Sequence, residues 1–142
     1  MGRLKDSVFY HDAIHEINYS FGDFYLFDGF VIAEVYEGVT FTWDNHGKKV
    51  VEDIAYLYDT NGHDLIFISN RINSYSIKPT DWRKFFKNRY VLNGYAVVSY
   101  STIGNSIALL EKLFIKTQSK RFNSLEDAIE WAKGVSSNRM VS

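Results

Sequence analysis

The chain has no cysteine, a single proline (Pro79) and two methionines in 142 residues. Without cysteine, neither a disulfide framework nor a thiolate metal site can form. One proline excludes a collagenous or mucin-like chain, and 46% apolar against 23% charged residues excludes intrinsic disorder. No run approaches the ~20 apolar residues a bilayer crossing needs. The opening residues carry Arg3, Lys5 and Asp6 and lack the apolar stretch of a secretion signal, so a cytoplasmic protein is expected. Phosphate-binding glycine motifs and any Ser/His/Asp arrangement are also missing. The chain is instead rich in aromatics, with ten Tyr, 11 Phe and three Trp. A chain of this length buries roughly two-thirds of its unfolded surface, enough for one core without staples.

The net charge of −1 conceals an asymmetry. Up to Asp64 there are 12 acids and four bases; from Leu65 onward there are 12 bases and five acids. The basic excess is densest between Arg71 and Arg121, where the acids are Asp81 and Glu111. Such polarity points to an anionic partner, either a phosphate-bearing ligand, a lipid headgroup or an acidic protein face, with solvated helix faces as the plain alternative. Nucleic acid is disfavoured, because the domain is not net basic and lacks the Arg/Gly/aromatic RNA-binding signatures.

Residues 1–16 are polar and weakly patterned and read as an N-terminal arm, 17–133 as a single domain and 134–142 as a C-terminal tail. Residues 17–21, 24–27 and 30–36 read as strands. Asp28-Gly29 between two aromatic and β-branched runs predicts a type I′ hairpin, and hence an antiparallel β-meander at the start. Thr42 then caps a helix whose inward row is Trp43, Gly47, Val50, Ile54 and Leu57. Residues 65–68 form a short apolar run of the kind covered on both faces, followed by a polar loop over 69–79. Thr80 caps a short helix carrying Trp82, Phe85 and Phe86, and 95–100 is a second buried strand. Ile103, Ile107, Leu110 and Phe114 predict the inward row of a third helix, with Ala108, Leu109 and Leu113 as a second apolar side suited to self-association. An edge strand over 120–122 and a helix opened by Ser124 and running through Trp131 complete the chain. The expected class is α/β: a mixed sheet with an antiparallel lead-in, then alternating helices and mostly parallel strands, with about four helices.

This order resembles the STAS superfamily, especially its SpoIIAA-like branch, the fold of anti-sigma-factor antagonists. The resemblance rests on the hairpin from Gly22 through Asp28-Gly29 to Glu37-Gly38, the strand and loop Leu65-Ile-Phe-Ile-Ser-Asn-Arg71, and the closing Arg121-Phe-Asn-Ser-Leu-Glu-Asp-Ala-Ile-Glu-Trp131. It covers roughly residues 17–133. In anti-sigma antagonists an Asp-Ser-Ser-Gly-like turn after the central strand presents a phosphorylatable serine; here the corresponding stretch, 69–76, lacks that motif and carries an Arg, which leaves Ser74 and Ser76 as the phosphorylation candidates. The same branch is similar in fold to CRAL-TRIO lipid-transfer domains, and that similarity implies an apolar or amphiphilic, lipid-like ligand.

In an open α/β sheet, ligands lie beyond the carboxyl ends of the parallel strands. Those ends place Asn70, Arg71, Asn73, Tyr75, Ser76, Ser99, Tyr100, Ser101 and Asn105 as candidate binding residues, with Arg71 and helix-start amides suited to an anion. The capping and turn roles of Asn and Ser are the plain alternative. His11 and His15 stand at i, i+4, but without the Glu of a zinc-protease motif they read as a surface pair, so no metal or cofactor is expected. The leading function is a non-catalytic regulatory or protein-binding module, engaging a protein partner or a second copy. The alternative is a binder of an anionic or lipid-like small molecule in a basic-lined pocket, and an enzyme comes third. Replacing Arg71 by Ala is expected to spare the fold and weaken binding.

Overall fold

The computed structural model describes residues 2–141. In chain order the strands are β1 (His15–Tyr19), β2 (Gly22–Phe27), β3 (Phe30–Val35), β4 (Thr40–Phe41), β5 (Ile66–Arg71), β6 (Ser76–Ile77), β7 (Gly94–Ser99) and β8 (Ser119–Phe122). The helices are α1 (Lys48–Tyr58), α2 (Trp82–Lys87), α3 (Thr102–Lys112) and α4 (Leu125–Val141). Six strands form one sheet in the order β1-β2-β3-β5-β7-β8. The β1-β2-β3 part is antiparallel and the β3-β5-β7-β8 part is parallel, which is the mixed α/β architecture expected, with four α-helices among the described residues. A separate ladder pairs β4 with β6 in parallel and pins the polar stretch after β5, so residues 69–79 are not wholly loop.

Strand alternation sorts side chains to two faces. Phe30, Ile32, Ile66, Ile68, Ala96 and Val98 point to one face, where they pack with Leu125, Ala128, Ile129 and Ala132 of α4. Val31, Ala33 and Leu65 point to the other, under Val50 and Ile54 of α1, while Tyr95 and Val97 lie under Ala108 of α3. Both faces are covered, and this is why the central strands read as continuous apolar runs.

Several expectations need correction. Of the arm expected over residues 1–16, the described part, 2–16, is not detached: Leu4 is fully buried in the α4-side core and β1 begins at His15. The segment is held there because Leu4 N donates to Glu34 Oε2 at 2.8 Å and Asn70 Nδ2 donates to the Gly2 carbonyl at 2.8 Å. At the other end, α4 continues as helix through Gly134 to Val141, where a tail was expected. One glycine lowers helix propensity by only about 1 kcal/mol, which need not stop a helix. In the β2-β3 hairpin, Phe27 pairs with Phe30 across the two-residue Asp28-Gly29 link, but only Gly29 has positive φ (84°). The turn is therefore not type I′, which requires positive φ at both positions.

Thr42 does cap the first helix, accepting from Asn45 N at 3.2 Å. The chain then makes a π-helical turn, Trp43–Gly47, before α1. Tyr58 continues the inward row instead of Leu57, its hydroxyl bonded to the Phe27 carbonyl, while Leu57 is exposed. Thr80 caps nothing: a 3-10 turn, Pro79–Asp81, leads into α2, and Asp81 Oδ2 accepts from Trp43 N at 2.9 Å, tying the starts of the two helices together. Ser124 opens α4 as expected, accepting from Asp127 N at 3.2 Å.

The expected inward face of α3 is rotated. Ala108 and Glu111 are buried against the sheet, whereas Ile103 and Leu110 are exposed. Small residues explain the choice: a Cβ on Gly104 would stand 2.3 Å from Ser99 Oγ, so the helix approaches β7 more closely than an Ile or Leu face allows.

Candidate functional site: a strand-end groove above a buried ion pair

β5 extends three residues beyond its apolar run, so Ser69, Asn70 and Arg71 are strand residues, not loop. Alternation sends Asn70 to the α4 face and Ser69 and Arg71 to the α3 face. The nine candidate residues are divided accordingly.

Asn70 belongs to an internal network. Its Nδ2 donates to Glu34 Oε2 (2.8 Å) and the Gly2 carbonyl, and its Oδ1 accepts from the Tyr100 hydroxyl (3.0 Å). Burial pushes the Glu34 carboxyl above its ordinary pKa, against the opposing effect of the donors from Leu4 and Asn70. This cluster fastens the N-terminal segment to the sheet.

On the opposite face, Arg71 sits in a cluster that the sequence reading missed. Its Nη2 bonds Glu111 Oε1 and donates to the Tyr95 hydroxyl at 3.0 Å, and its Nε donates to Ser69 Oγ at 3.2 Å. Glu111 Oε2 accepts from Trp82 Nε1 and from the Tyr95 hydroxyl, each at 2.9 Å. The Tyr75 ring lies beneath the guanidinium, with its hydroxyl 3.1 Å from Ser69 Oγ. The Arg71 and Glu111 side chains are 8% and 2% exposed, so the pair is internal. Burial works against the charged guanidinium, but Tyr95, Tyr75 and Glu111 outweigh it and hold its pKa above the ordinary arginine value. The Tyr95 hydroxyl is raised too, by burial first and Glu111 second.

Beyond the carboxyl ends of β5 and β7 lies a groove of about 400 Å³. It brings together Arg71, Asn73, Ser74, Tyr75, Ser99, Tyr100 and Ser101, seven of the residues singled out from sequence. Gly104 and Ile107 of α3 form one side and Ile103 its rim. Asn70 and Ser76 do not line it, the latter lying in β6. Asn105 does not line it either, and its Oδ1 is buried without a partner. Local bonds shape the rest: Asn73 Nδ2 donates to the Val35 carbonyl at 3.0 Å, and Ser101 Oγ caps α3 by accepting from Gly104 N at 3.1 Å. Ser74 and Ser76 are exposed, and neither opens a helix.

The expected basic lining is not there. The charged residues of the groove are Arg71 and Glu37. Lys84 pairs with Asp44 and Asp81, Arg83 lies over Phe114, Lys116 over Phe86 and Lys120 over Phe122. The basic run is thus dispersed, with Arg83 and Lys84 on α2, Lys116 between α3 and β8, and Lys120 in β8. His11 lies within a 3-10 segment, Val8–Asp12, and His15 opens β1, so the two imidazoles share no helical face.

No family model matches the chain, and no curated protein matches its sequence significantly. A solved structure is similar in fold: an uncharacterised protein of the DUF3478 family with a SpoIIAA-like fold, from Shewanella loihica PV-4. The two superpose with a TM-score of 0.51 at 10% identity, over 84% of this chain and 92% of that one. Among the described residues no helix is long and apolar enough to cross a membrane. The six-stranded mixed sheet, its antiparallel lead-in and its four helices are those of a SpoIIAA-like fold.

Proposed function

We propose that the chain is a non-catalytic STAS-type protein-binding module whose recognition surface is the strand-end groove together with the exposed face of α3, and whose partner is a second copy of the chain. The observation that carries this reading is the α3 face. Ile103, Leu109 and Leu110 of α3 and Leu113, the residue that caps its C-terminus, are 75%, 67%, 52% and 75% exposed, and Ile103 also lines the groove. Contiguous apolar exposure of this kind marks interaction surfaces in soluble proteins. A net charge of −1 puts little repulsion between copies, and a helix face meeting itself about a two-fold axis is self-complementary by symmetry.

The groove hydroxyls support the non-catalytic part. Ser99 Oγ donates to the Ser101 carbonyl at 3.3 Å and Ser101 Oγ is spent on the cap, so neither faces a general base. His46 is committed elsewhere, accepting from Thr42 N and packing on Phe21 and Phe41. Light scattering on the eluting protein tests the reading. The wild type is expected to elute as a dimer, and Leu109→Glu/Leu113→Glu as a monomer with an unchanged far-UV spectrum. A wild type that stays monomeric at the highest attainable concentration removes the homotypic contact.

A further inference from the structure

Residues 2–13 lie on the α4 side of the sheet without joining its ladder. Pairing with β2 begins at Ile14, whose N donates to the Leu26 carbonyl at 2.7 Å. Before that point, among the described residues, the backbone bonds of the segment close its own 3-10 turns, apart from two that reach the sheet: Leu4 N to Glu34 Oε2 and Asn70 Nδ2 to the Gly2 carbonyl. Asn70 Nδ2 also donates to Glu34 Oε2, so one carboxylate oxygen organises both attachments. Leu4 is the apolar plug beside them, in one core cluster with Ile32, Ile68 and Val98.

Glu34 is 4% exposed, and the charges around it do not neutralise it. Arg3 of the segment faces it, but that guanidinium pairs with Asp6 at 3.1 Å on a side chain 60% exposed, and Lys5 is held by Glu16. Asp23 of β2 faces it with like charge. Tyr25 of β2 and Tyr100 beyond β7 face it as neutral hydroxyls, each raised above the ordinary tyrosine pKa by burial first. Both donors to Glu34 are neutral and share one oxygen. A buried carboxylate without a cation is costly as an ion, whereas the acid carries its proton on the other oxygen and keeps Oε2 as the acceptor. Burial, joined by Asp23, accordingly holds the carboxyl above its ordinary pKa against Leu4, Asn70 and Arg3.

We infer that residues 2–13 are a pH-released latch over the carboxyl ends of β3, β5 and β7, closed while Glu34 carries its proton and opened when the carboxyl ionises. The ion regains its hydration when the segment lifts, and the lift pivots at Ala13, the residue before the ladder begins. Opening takes the Gly2 carbonyl from Asn70 and uncovers the Asn70–Tyr100 pair, and Tyr100 also lines the groove. The latch is separate from the α3 face and does not depend on which protein the module engages. Its sign follows from linkage: the docked segment favours the acid, so docking is fully present below the pKa of the released state and weakens as pH rises through the docked one.

Hydrogen exchange of the Leu4 amide in the full chain, corrected for the intrinsic rate at each pH, reads the opening, and the carbon-13 shift of the Glu34 carboxyl reads the titration. Leu4 protection is expected to fall by up to about tenfold per pH unit between the ordinary glutamate pKa and the docked value, and to level off above it. The amides of Ile68 and Val97, inside the sheet, are expected to keep their protection. Glu34→Gln retains an acceptor for Leu4 N without the charge and is expected to hold Leu4 protection constant over the same range. Wild-type protection at Leu4 that is flat or rises with pH, or a Glu34 carboxyl that titrates at the ordinary value, overturns the latch. So does a fall shared by Ile68 and Val97, which is global unfolding, or one that persists in Glu34→Gln, which assigns it to another group.

Discussion

Replacing Arg71 by Met is expected to cost the fold heavily. Glu111, at 2% exposure, would keep Trp82 Nε1 and the Tyr95 hydroxyl but lose Arg71, its salt-bridge partner. Leaving a buried charge unpaired typically costs about 3–5 kcal/mol. That is a large share of the roughly 5–15 kcal/mol by which such domains are stable. With a urea m-value of about 1.5–2 kcal/mol/M, the unfolding midpoint falls by about 2 M. Glu111→Gln strands Arg71 in the same way and is expected to lose a similar amount. The double variant Arg71→Met/Glu111→Gln removes both charges and keeps one amide oxygen for Tyr95 or Trp82, leaving about one donor unpaired at about 1–3 kcal/mol. It is therefore expected to be more stable than either single variant. Urea unfolding followed by tryptophan fluorescence measures all four proteins. Additive losses, or single-variant losses below about 1 kcal/mol, would refute the reasoning and show the pair to be solvated. The expectation drawn from sequence, that removing Arg71 spares the fold, fails on the burial of this pair.

Three further outcomes follow from the same geometry. Leu4→Ala is expected to destabilise by about 2–5 kcal/mol in urea, since Leu4 is fully buried, whereas a detached arm predicts no change. Burial raises the Glu34 pKa in the folded state, so folding favours the protonated form; its contribution is fully present below the unfolded pKa and is lost as pH rises through the folded pKa. Glu34→Gln is accordingly expected to gain stability relative to wild type as pH rises through that window, and a pH-independent difference in midpoints would contradict it. Gly62→Ala is expected to lower the melting temperature by about 10 °C or more, because Gly62 has φ +104° and a Cβ there would stand 2.0 Å from the Val91 carbonyl oxygen. An unchanged melting curve would exclude that close approach.

The sheet was legible because its signals are local. Asp28-Gly29 between two apolar runs, the short run before Ser69, the run after Gly94 and the Ser124 cap each mark an element by its own residues. The failures lie where tertiary contact decides. In α3 two rows have the same spacing: Ile103, Ile107, Leu110, Phe114 and Gly104, Ala108, Glu111, Ile115. Hydrophobicity favours the first; the buried row is the second, because small residues permit close approach and Glu111 meets Arg71 forty positions away. A signal was present, since Glu111 is one of two acids in a strongly basic stretch, but nothing local pairs it with Arg71. The site was half legible for a related reason. Ending β5 at Ile68 put Asn70 and Arg71 in one loop, and three more strand residues send them to opposite faces. The N-terminal segment carries one large aliphatic side chain before Val8, and no periodicity foretells that a single leucine docks.

The lack of cysteine, which excluded disulfides at the outset, makes the proposed contact directly measurable. Lys112→Cys introduces a unique thiol beside the exposed face of α3, and a nitroxide attached there can be mixed with nitrogen-15-labelled, unmodified chain. Broadening between copies is expected at the amides of α3 and of the groove rim around Ile103, and not at the α4 side of the sheet. No broadening between copies, or broadening centred on α4, would contradict a module that pairs through α3.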